Sequence, residues 1–292
     1  MLFIHSIYKY RNYFCMEILK SEQYLNEKLN ITPVSKTRLS NYKELIIGKD
    51  AKQFIKDNKL KWNPMANRYD CDNDVTIEQD DGVVVDGKFI IKFGTVKGKF
   101  YCIDCKLETL EGAPQYVEGN FSCNDNNLVS LEGAPQYVGG DFFCKRCGLT
   151  SLNGSPKEVG GDFYCGNNML ESLDGSTQKI NGKFYCSYNK LKTLKGSPQK
   201  IKSFFCGVNE LTSLEGAPQE VFGEFYCNAN YLTSLEGAPQ KVGEDFCCSD
   251  NNITSLKGAP KNVGGDFYCG NNPNLVLPKR KPSWIEGTII DK

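Results

Sequence analysis

Residues 121–141 read FSCNDNNLVSLEGAPQYVGGD, and residues 142–162 read FFCKRCGLTSLNGSPKEVGGD, so the two stretches align position by position. A cysteine stands third in each stretch, and cysteines at this position recur every 21 residues, with one step of 20. Self-similarity at a short fixed period is the signature of a solenoid, in which each repeat forms one coil. The series comprises Cys102, Cys123, Cys144, Cys165, Cys186, Cys206, Cys227, Cys248 and Cys269.

The repeating unit is F-x-C-x-x-N-x-L-x-x-L-x-G-[AS]-P-x-x-V-x-G-x, and its spacing predicts the course of each coil. Phenylalanine and cysteine alternate with a period of two, which is typical of a short strand with both side chains on its inner face. The leucines and the valine add inward groups, and glycine with proline turns the chain towards the next coil. The single step of 20 falls where the turn Lys200-Ile201-Lys202-Ser203 is one residue short.

Two segments of the unit resemble a known family. The stretch FSCNDNNL at 121–128 resembles the leucine-rich-repeat core L-x-L-x-x-N/C-x-L, and LEGAPQYV at 131–138 resembles the short proline-bearing repeats of bacterial effector proteins. The repeats are also similar to the LTSLEGAPQxVGGDFYC type of bacteriophage-encoded proteins. The resemblance covers about 100–272 and implies a mainly β leucine-rich-repeat solenoid with parallel strands and an exposed concave sheet face. Phenylalanine and cysteine replace the usual strand leucines.

The repeat boundaries predict four regions. They are an N-terminal extension with one or two helices at 1–59, a β-rich cap at 60–99, a solenoid of about nine coils at 100–272, and a C-terminal cap at 273–292. Helices are predicted at 17–29 and 50–59, the second with Asp50 as its N-cap. Residues 1–15 make a poor signal peptide, and we expect them to be untranslated or disordered, with Met16 as the alternative start.

The charge balance argues against two classes of partner. Lysine and arginine total 35, as do aspartate and glutamate, so the formal net charge is zero. A nucleic-acid-binding protein needs a basic excess to replace phosphate counterions. A membrane span needs about 18 apolar residues in a row, and the sequence contains no such run. We therefore expect neither a nucleic-acid nor a membrane partner, and a cytoplasmic location, which for a phage-encoded protein means the host bacterial cytoplasm or the virion.

The cysteines raise the questions of zinc and of disulfides. Cys102 with Cys105, and Cys144 with Cys147, have C-x-x-C spacing, but the pairs lie two coils apart, about 10 Å, too far for one tetrahedral site. Cys105 and Cys147 instead occupy the repeat position that elsewhere holds asparagine, where the side chain binds backbone groups at the bend. We expect no metal, and a ladder of free buried thiols in a reducing compartment.

Catalytic patterns are weak. The segment Asp70-x-Asp72-x-Asp74 resembles the start of a calcium loop, but Val75 replaces the required glycine, so a solvated acidic turn is the better interpretation. The single histidine is His5, and the sequence contains no phosphate loop and no nucleophile elbow. We therefore expect no enzyme activity and no cofactor.

The residue between phenylalanine and cysteine in each strand points away from the core. Seven of these nine residues are aromatic. Aromatic side chains are enriched in recognition sites because they bury a large area at low entropic cost. Aromatic rings on adjacent strands also stabilise one another, so a purely structural role is the main alternative. The candidate partner-binding residues are Tyr101, Phe143, Tyr164, Tyr185, Phe205, Tyr226 and Tyr268.

The sequence thus predicts a non-catalytic interaction module that binds a protein through this aromatic face. Polar columns flank the aromatic residues, and they suit a protein segment or a glycan better than a phosphate backbone. Carbohydrate recognition, as in adhesion, is the second hypothesis. A zinc-dependent module that uses the C-x-x-C pairs is the third.

Overall fold

A computed structural model of the chain describes residues 49–291, and these residues form a solenoid of short, mainly parallel β-strands. Contacts divide the chain into two units, Met1–Gly48 and Lys49–Lys292. The predicted helix at 17–29 and the alternative start at Met16 lie outside the described residues.

The strands that carry the repeat phenylalanine form one sheet of eleven strands, which we call the aromatic sheet. Neighbouring strands are parallel and in register, so that Phe142 lies beside Phe163 and Phe143 beside Tyr164. The first and last strands come from the segments predicted as caps, which gives eleven rungs where nine were predicted. The strands are Val75–Thr76, Phe100–Tyr101, Phe121–Ser122, Phe142–Phe143, Phe163–Tyr164, Phe184–Tyr185, Phe204–Phe205, Phe225–Tyr226, Phe246–Cys247, Phe267–Tyr268 and Ile289–Ile290.

A second set of parallel strands contains the repeat valine or isoleucine, where the sequence predicted only part of a turn. These strands form two ladders, which together we call the valine sheets. The first ladder has seven strands, of which only the first pairs antiparallel with its neighbour, and it runs through Lys61–Asn63, Arg68–Cys71, Phe93–Val96, Tyr116–Val117, Tyr137–Val138, Glu158–Val159 and Lys179–Ile180. The second has four strands and runs through Lys200–Ile201, Glu220–Val221, Lys241–Val242 and Asn262–Val263.

The break between the two ladders falls at the short coil. Only Lys202 and Ser203 separate Ile201 from the next phenylalanine, whereas the other coils have three residues at this place. In other coils, the N–H after the valine donates to the carbonyl of the valine in the preceding coil, as Gly139 does to Val117. With one residue missing, the N–H of Lys202 donates to the carbonyl of Gly182 at 3.3 Å and not to that of Ile180. The aromatic sheet continues through this coil without interruption.

The N-terminal part of the described chain adds a helix and a hairpin. The helix spans Lys49–Asp57, which confirms the predicted second helix but ends it two residues earlier. Asp50 lies in its first turn and is not the N-cap as predicted, a place where a carboxylate still favours the positive end of the helix dipole. A 3₁₀ helix spans Gln79–Asp81, and Val84–Val85 pairs antiparallel with Lys88–Phe89.

The core is a continuous stack of phenylalanine rings. Nine rings, one per repeat from Phe100 to Phe267, lie with successive centroids 5.1–5.8 Å apart and no exposed surface. Phe93 covers the first ring edge-on at 4.8 Å, and Trp284 covers the last at 5.6 Å. Each aromatic pair contributes about 0.5–1.5 kcal/mol beyond its buried area, so the stack links all the repeats to one another.

The glycine of each L-x-G-[AS]-P turn is required by its backbone. At Gly133 the φ angle is +90°, and the N–H of Ala134 donates to the carbonyl of Leu131 at 2.9 Å, as in a type II turn. A Cβ atom at this position would lie 2.6 Å from the backbone of Leu110. Any other residue at this position would strain the backbone and would place its Cβ too close to the neighbouring coil.

An asparagine, buried in most repeats, closes the bend after seven of the nine repeat strands. The Asn168 amide donates to the carbonyl of Cys144 in the preceding coil at 2.8 Å and to that of Cys165 in its own coil at 3.0 Å. Its Oδ1 accepts the N–H groups of Cys147 and Leu149 at 2.9 and 3.1 Å. One side chain thus satisfies four backbone groups that would otherwise be buried without partners.

Candidate functional site

The seven aromatic residues predicted as the candidate site lie on the outward face of the aromatic sheet. Strand alternation buries the phenylalanine and the cysteine of each repeat and leaves the residue between them facing out. All seven are half-exposed: Tyr101, Phe143, Tyr164, Tyr185, Phe205, Tyr226 and Tyr268. We call these residues, with Ser122 and Cys247 at the same position of their strands, the outward column.

Four rings in the middle of the outward column form a tight stack. Phe143 stacks on Tyr164 with centroids 4.7 Å apart, Tyr164 on Tyr185 at 4.4 Å, and Tyr185 on Phe205 at 4.5 Å. The ring planes differ by only 3–9°. Tyr226 then meets Phe205 edge-on at 5.4 Å. The faces of these rings therefore point at one another, while their edges point towards solvent.

The outward column is not continuous. Ser122 separates Tyr101 from Phe143, and Cys247 separates Tyr226 from Tyr268. Among residues 49–291, neither Tyr101 nor Tyr268 stacks on another ring. The predicted set of seven thus divides into five rings in contact and two separate tyrosines.

Lysine side chains lie close to the stacked rings. The Nζ of Lys145 is 4.3 Å from the centroid of Tyr164, and the Nζ of Lys183 is 5.7 Å from that of Phe205. Lys183 also forms an ion pair with Glu224 at 3.3 Å. Because both faces of Tyr164 are covered by neighbouring rings, Lys145 lies at the margin of this ring.

The hydroxyl of Tyr164 is held as a hydrogen-bond donor. It donates to a carboxylate oxygen of Asp162 at 3.0 Å. Burial raises the pKa of Tyr164 well above its usual range, and the hydrogen bond to Asp162 and its charge raise it further. The phenol therefore stays protonated at any physiological pH.

The carboxylates beside the outward column have a structural task that the sequence did not reveal. Asp141 Oδ1 accepts the N–H of Asp162 at 2.8 Å, and Asp162 Oδ1 accepts the N–H of Lys183 at the same distance. Asp245 and Asp266 are placed in the same way, since Asp245 Oδ1 accepts the N–H of Asp266. Each carboxylate thus replaces a missing backbone acceptor between two coils.

Sequence reasoning missed an apolar pair beside the outward column. Tyr188 and Val208 lie in adjacent coils, where the N–H of Tyr188 donates to the carbonyl of Val208 at 3.0 Å. Their side chains are 58% and 37% exposed, and both residues have left-handed φ angles, of 60° and 55°. Five of the nine repeats place aspartate or asparagine at this position, which tolerates that conformation better. A bulky residue that breaks this local preference was the available signal.

The two cysteines at the asparagine position behave as predicted. The thiol of Cys147 donates to the carbonyl of Cys123 at 3.0 Å, and that of Cys105 to the carbonyl of Ile77 at 3.2 Å. These are the bonds that the asparagine amide makes to the preceding coil elsewhere. Within the described residues, no group of three or more histidine, cysteine or acidic side chains is placed to hold a metal ion.

The strand cysteines form the predicted ladder. All thirteen cysteines between residues 49 and 291 are free thiols, and twelve of them are buried. The Cys144 thiol, for example, donates to the carbonyl of Tyr164 in the next coil at 3.3 Å. Burial raises the pKa of the Cys144 thiol well above its usual range, so the ladder is neutral and unreactive.

The three aspartates that resemble a calcium loop have separate partners. Asp70 accepts the N–H of Thr95 at 2.7 Å, and Asp74 accepts the N–H of Lys99 at 2.8 Å. Asp72 pairs with two lysines, and its hydrogen bond to Lys61 is the main cause that lowers its pKa to about 2. Asp72 and Asp74 are exposed at the bend after the strand Arg68–Cys71, in agreement with the predicted solvated turn, whereas Asp70 is half-buried within that strand and does not belong to the turn.

Comparison with known proteins gives no match: no protein family, no curated protein and no solved structure is significantly similar to the chain. Among the residues that the structure describes, no helix is both long and apolar enough to cross a membrane.

Proposed function

We propose that the chain is a non-catalytic interaction module that binds a protein partner through the outward face of the aromatic sheet. The main support for this proposal is the run of five half-exposed rings in contact from Phe143 to Tyr226. Large aromatic side chains at the centre of an interface supply much of its binding energy.

The stacking also makes this surface rigid. Each ring in the middle of the run is held between two neighbours, and Lys145 and Lys183 lie close to two of them. Side chains that are already fixed lose little conformational entropy when a partner binds, which leaves more of the contact energy as affinity. A rigid aromatic surface is therefore well prepared for recognition.

The orientation of the rings favours a protein over a glycan. In the run from Phe143 to Phe205, the ring faces cover one another at 4.4–4.7 Å, so mainly the edges are accessible. A sugar packs its C–H groups against a ring face, which carries the negative part of the ring quadrupole. A protein partner can use edges, through its own aromatic faces and through hydrogen bonds to the tyrosine hydroxyls.

The exposed pair Tyr188 and Val208 extends this surface onto the bend of the solenoid. Both residues keep an apolar side chain in a backbone conformation that costs about 1–2 kcal/mol. Strain of this kind clusters at functional sites. We therefore include these two residues in the proposed binding surface.

Affinity capture from a bacterial extract tests the proposal, since the repeats resemble those of bacteriophage-encoded proteins. The test variant carries Tyr164→Ser, Phe205→Ser and Tyr226→Ser. The control carries Tyr116→Ser and Tyr137→Ser, which removes a stacked pair at 4.5 Å from a valine sheet. We expect a protein that wild type and control retain and the folded test variant loses. Equal retention by all three forms would refute the proposed face.

The glycan alternative makes a different prediction. Tyr101 and Tyr268 have no stacked neighbour among the described residues, so their faces are the ones that a sugar could cover. Retention of wild type on immobilised glycans, lost in Tyr101→Ser/Tyr268→Ser, would favour carbohydrate recognition over the protein partner.

A further inference from the structure

The outward column lacks one ring at Ser122. Tyr101, Ser122 and Phe143 occupy the same position in three consecutive parallel strands. Two strand spacings, about 9.6 Å, therefore separate Tyr101 from Phe143. Stacked rings in this column lie 4.4–4.7 Å apart, so two strand spacings accommodate one additional ring once the side chains that shield Ser122 move aside. We call this gap the Ser122 notch.

The side chain at the floor of the notch is unusual. Ser122 is only 3% exposed, and its hydroxyl is the one buried side-chain oxygen or nitrogen among the described residues that has no hydrogen-bond partner. A buried polar group without a partner costs about 1–3 kcal/mol, so it requires an explanation. The other gap in the outward column differs, because the Cys247 thiol is half-exposed and lies 3.7 Å from the Ser249 hydroxyl.

The surroundings favour a planar ring as the missing occupant. One wall is the face of Phe143, which stacks only on Tyr164 among the described residues and so presents its other side to the notch. The opposite wall is Tyr101, which is half-exposed and stacks on no ring between residues 49 and 291. Because the hydroxyl of Ser122 is shielded from water, a ring can enter only when a wall side chain rotates, and Tyr101 is the less constrained of the two.

We propose that the Ser122 notch receives a tyrosine side chain of the protein partner, which completes the outward column as its missing ring. The tyrosine ring stacks between Tyr101 and Phe143, and the hydroxyl at its tip bonds to Ser122. This inference rests on the proposed function and specifies which chemical group of the partner is recognised. A tyrosine fits better than a phenylalanine because only a polar tip satisfies the buried hydroxyl.

A pair of small probes tests the notch without knowledge of the partner. 4-Methylphenol has the ring and hydroxyl of tyrosine, and toluene has the ring alone. We expect 4-methylphenol to shift the NMR signals of Tyr101, Ser122 and Phe143, with toluene weaker by about fivefold, the equivalent of one hydrogen bond. The variant Ser122→Ala should reduce the difference between the two probes. The absence of shifts at these residues would overturn the proposal.

A filled notch provides the second test. Ser122→Phe places a ring of the protein's own at the missing position, and we expect it to abolish 4-methylphenol binding and to raise the melting temperature. Cys247→Phe fills the other gap and should leave probe binding unchanged. If Ser122→Phe does not fold, Ser122→Ile fills the notch with a side chain that suits a strand. Retained probe binding in the folded variant would contradict the proposal.

The experiments distinguish a failure of the proposed protein-binding function from a failure of the tyrosine-in-notch proposal. If 4-methylphenol binds at the notch but no protein is captured, the notch is established and the protein-binding function is refuted. If a captured protein depends on Tyr164, Phe205 and Tyr226 but binds the Ser122→Phe variant with unchanged affinity, the function stands and the tyrosine-in-notch proposal is overturned.

Discussion

Val208 adopts a left-handed backbone conformation, with φ at 55°, although its side chain is branched at Cβ. The repeat requires this conformation at the same position in every coil, from Asp104 at 52° to Asn271 at 55°. For most residues it costs about 1–2 kcal/mol, because Cβ approaches the following carbonyl oxygen, whereas asparagine tolerates it. At the residue scale, the bend therefore explains both the common choice of asparagine or aspartate and the cost of valine.

We expect Val208→Asn to stabilise the fold by about 1 kcal/mol, because asparagine removes this conformational penalty. Chemical denaturation measures the change. The matched control is Val129→Asn, since Val129 is 64% exposed and has no left-handed φ. If Tyr188 and Val208 belong to the binding surface, Val208→Asn will also weaken partner binding. A stability gain of the same size in the control would contradict the explanation.

The buried asparagine leads to a second prediction at this scale. Asn168→Ala removes the partners of four backbone groups, and we expect a loss of about 3 kcal/mol in the free energy of unfolding. Asn168→Cys should cost less, because Cys147 shows that a thiol at this position still bonds the preceding coil. Urea denaturation of both variants is the measurement. Equal losses would mean that the thiol does not substitute for the amide.

At the scale of elements, the aromatic sheet was predictable and the valine sheets were not. The F-x-C alternation shows which residues face inward, so the phenylalanine stack, the thiol ladder and the outward column all follow from the sequence. A two-residue strand such as Glu158–Val159 has one buried residue and no alternation, so it resembles a turn. The strands Val75–Thr76 and Ile289–Ile290 lack the F-x-C signature, and only pairing with a neighbouring coil reveals them.

The candidate site was predictable in part for the same reason. Alternation placed the seven aromatic residues on one face, with gaps at Ser122 and Cys247, but ring orientation depends on packing between neighbours, so the stack itself could not be foreseen. Ser122 was visible in the sequence as an interruption. Its missing hydrogen bond depends on the side chains around it and emerges only in three dimensions.

The thiol ladder makes stability sensitive to alkaline pH. Burial raises the pKa of the Cys165 and Cys186 thiols above their unfolded values, so the folded state holds protons that the unfolded state releases. Their contribution is complete below about pH 8.5, the ordinary pKa of cysteine, and is lost as the pH rises above it. Each thiol then lowers the free energy of unfolding by about 1.4 kcal/mol per pH unit.

We expect Cys165→Ala/Cys186→Ala to make the free energy of unfolding fall less steeply with alkaline pH, by the slope that corresponds to about two protons. The variant should also be less stable at neutral pH, because it removes buried side-chain atoms. Denaturation midpoints measured across the alkaline range give the slope. Leu191→Ala is the matched control, because it also removes a fully buried side chain but no ionisable group. An unchanged slope in the cysteine variant would show that the ladder is not the source of the pH dependence.

At the scale of the whole described unit, each coil contacts mainly its neighbours, and several ladders repeat the same contacts. Phenylalanine rings, thiols, asparagine amides and carboxylates all join one coil to the next, while Phe93 and Trp284 close the two ends of the ring stack. Such an array is stabilised by the sum of its nearest-neighbour contacts. The outward column is the part of this array that has aromatic surface left for a partner.

Photo-crosslinking from single positions tests the proposed binding face most directly. p-Benzoylphenylalanine replaces Tyr185 within the stacked run in one form of the protein, and Tyr137 on a valine sheet in the other. Each form is irradiated in the bacterial extract, and the crosslinked products are identified by mass spectrometry. We expect a specific protein adduct from position 185 that position 137 does not give. An adduct from position 137 alone, or the same adducts from both positions, would contradict the claim that the outward aromatic face binds the partner.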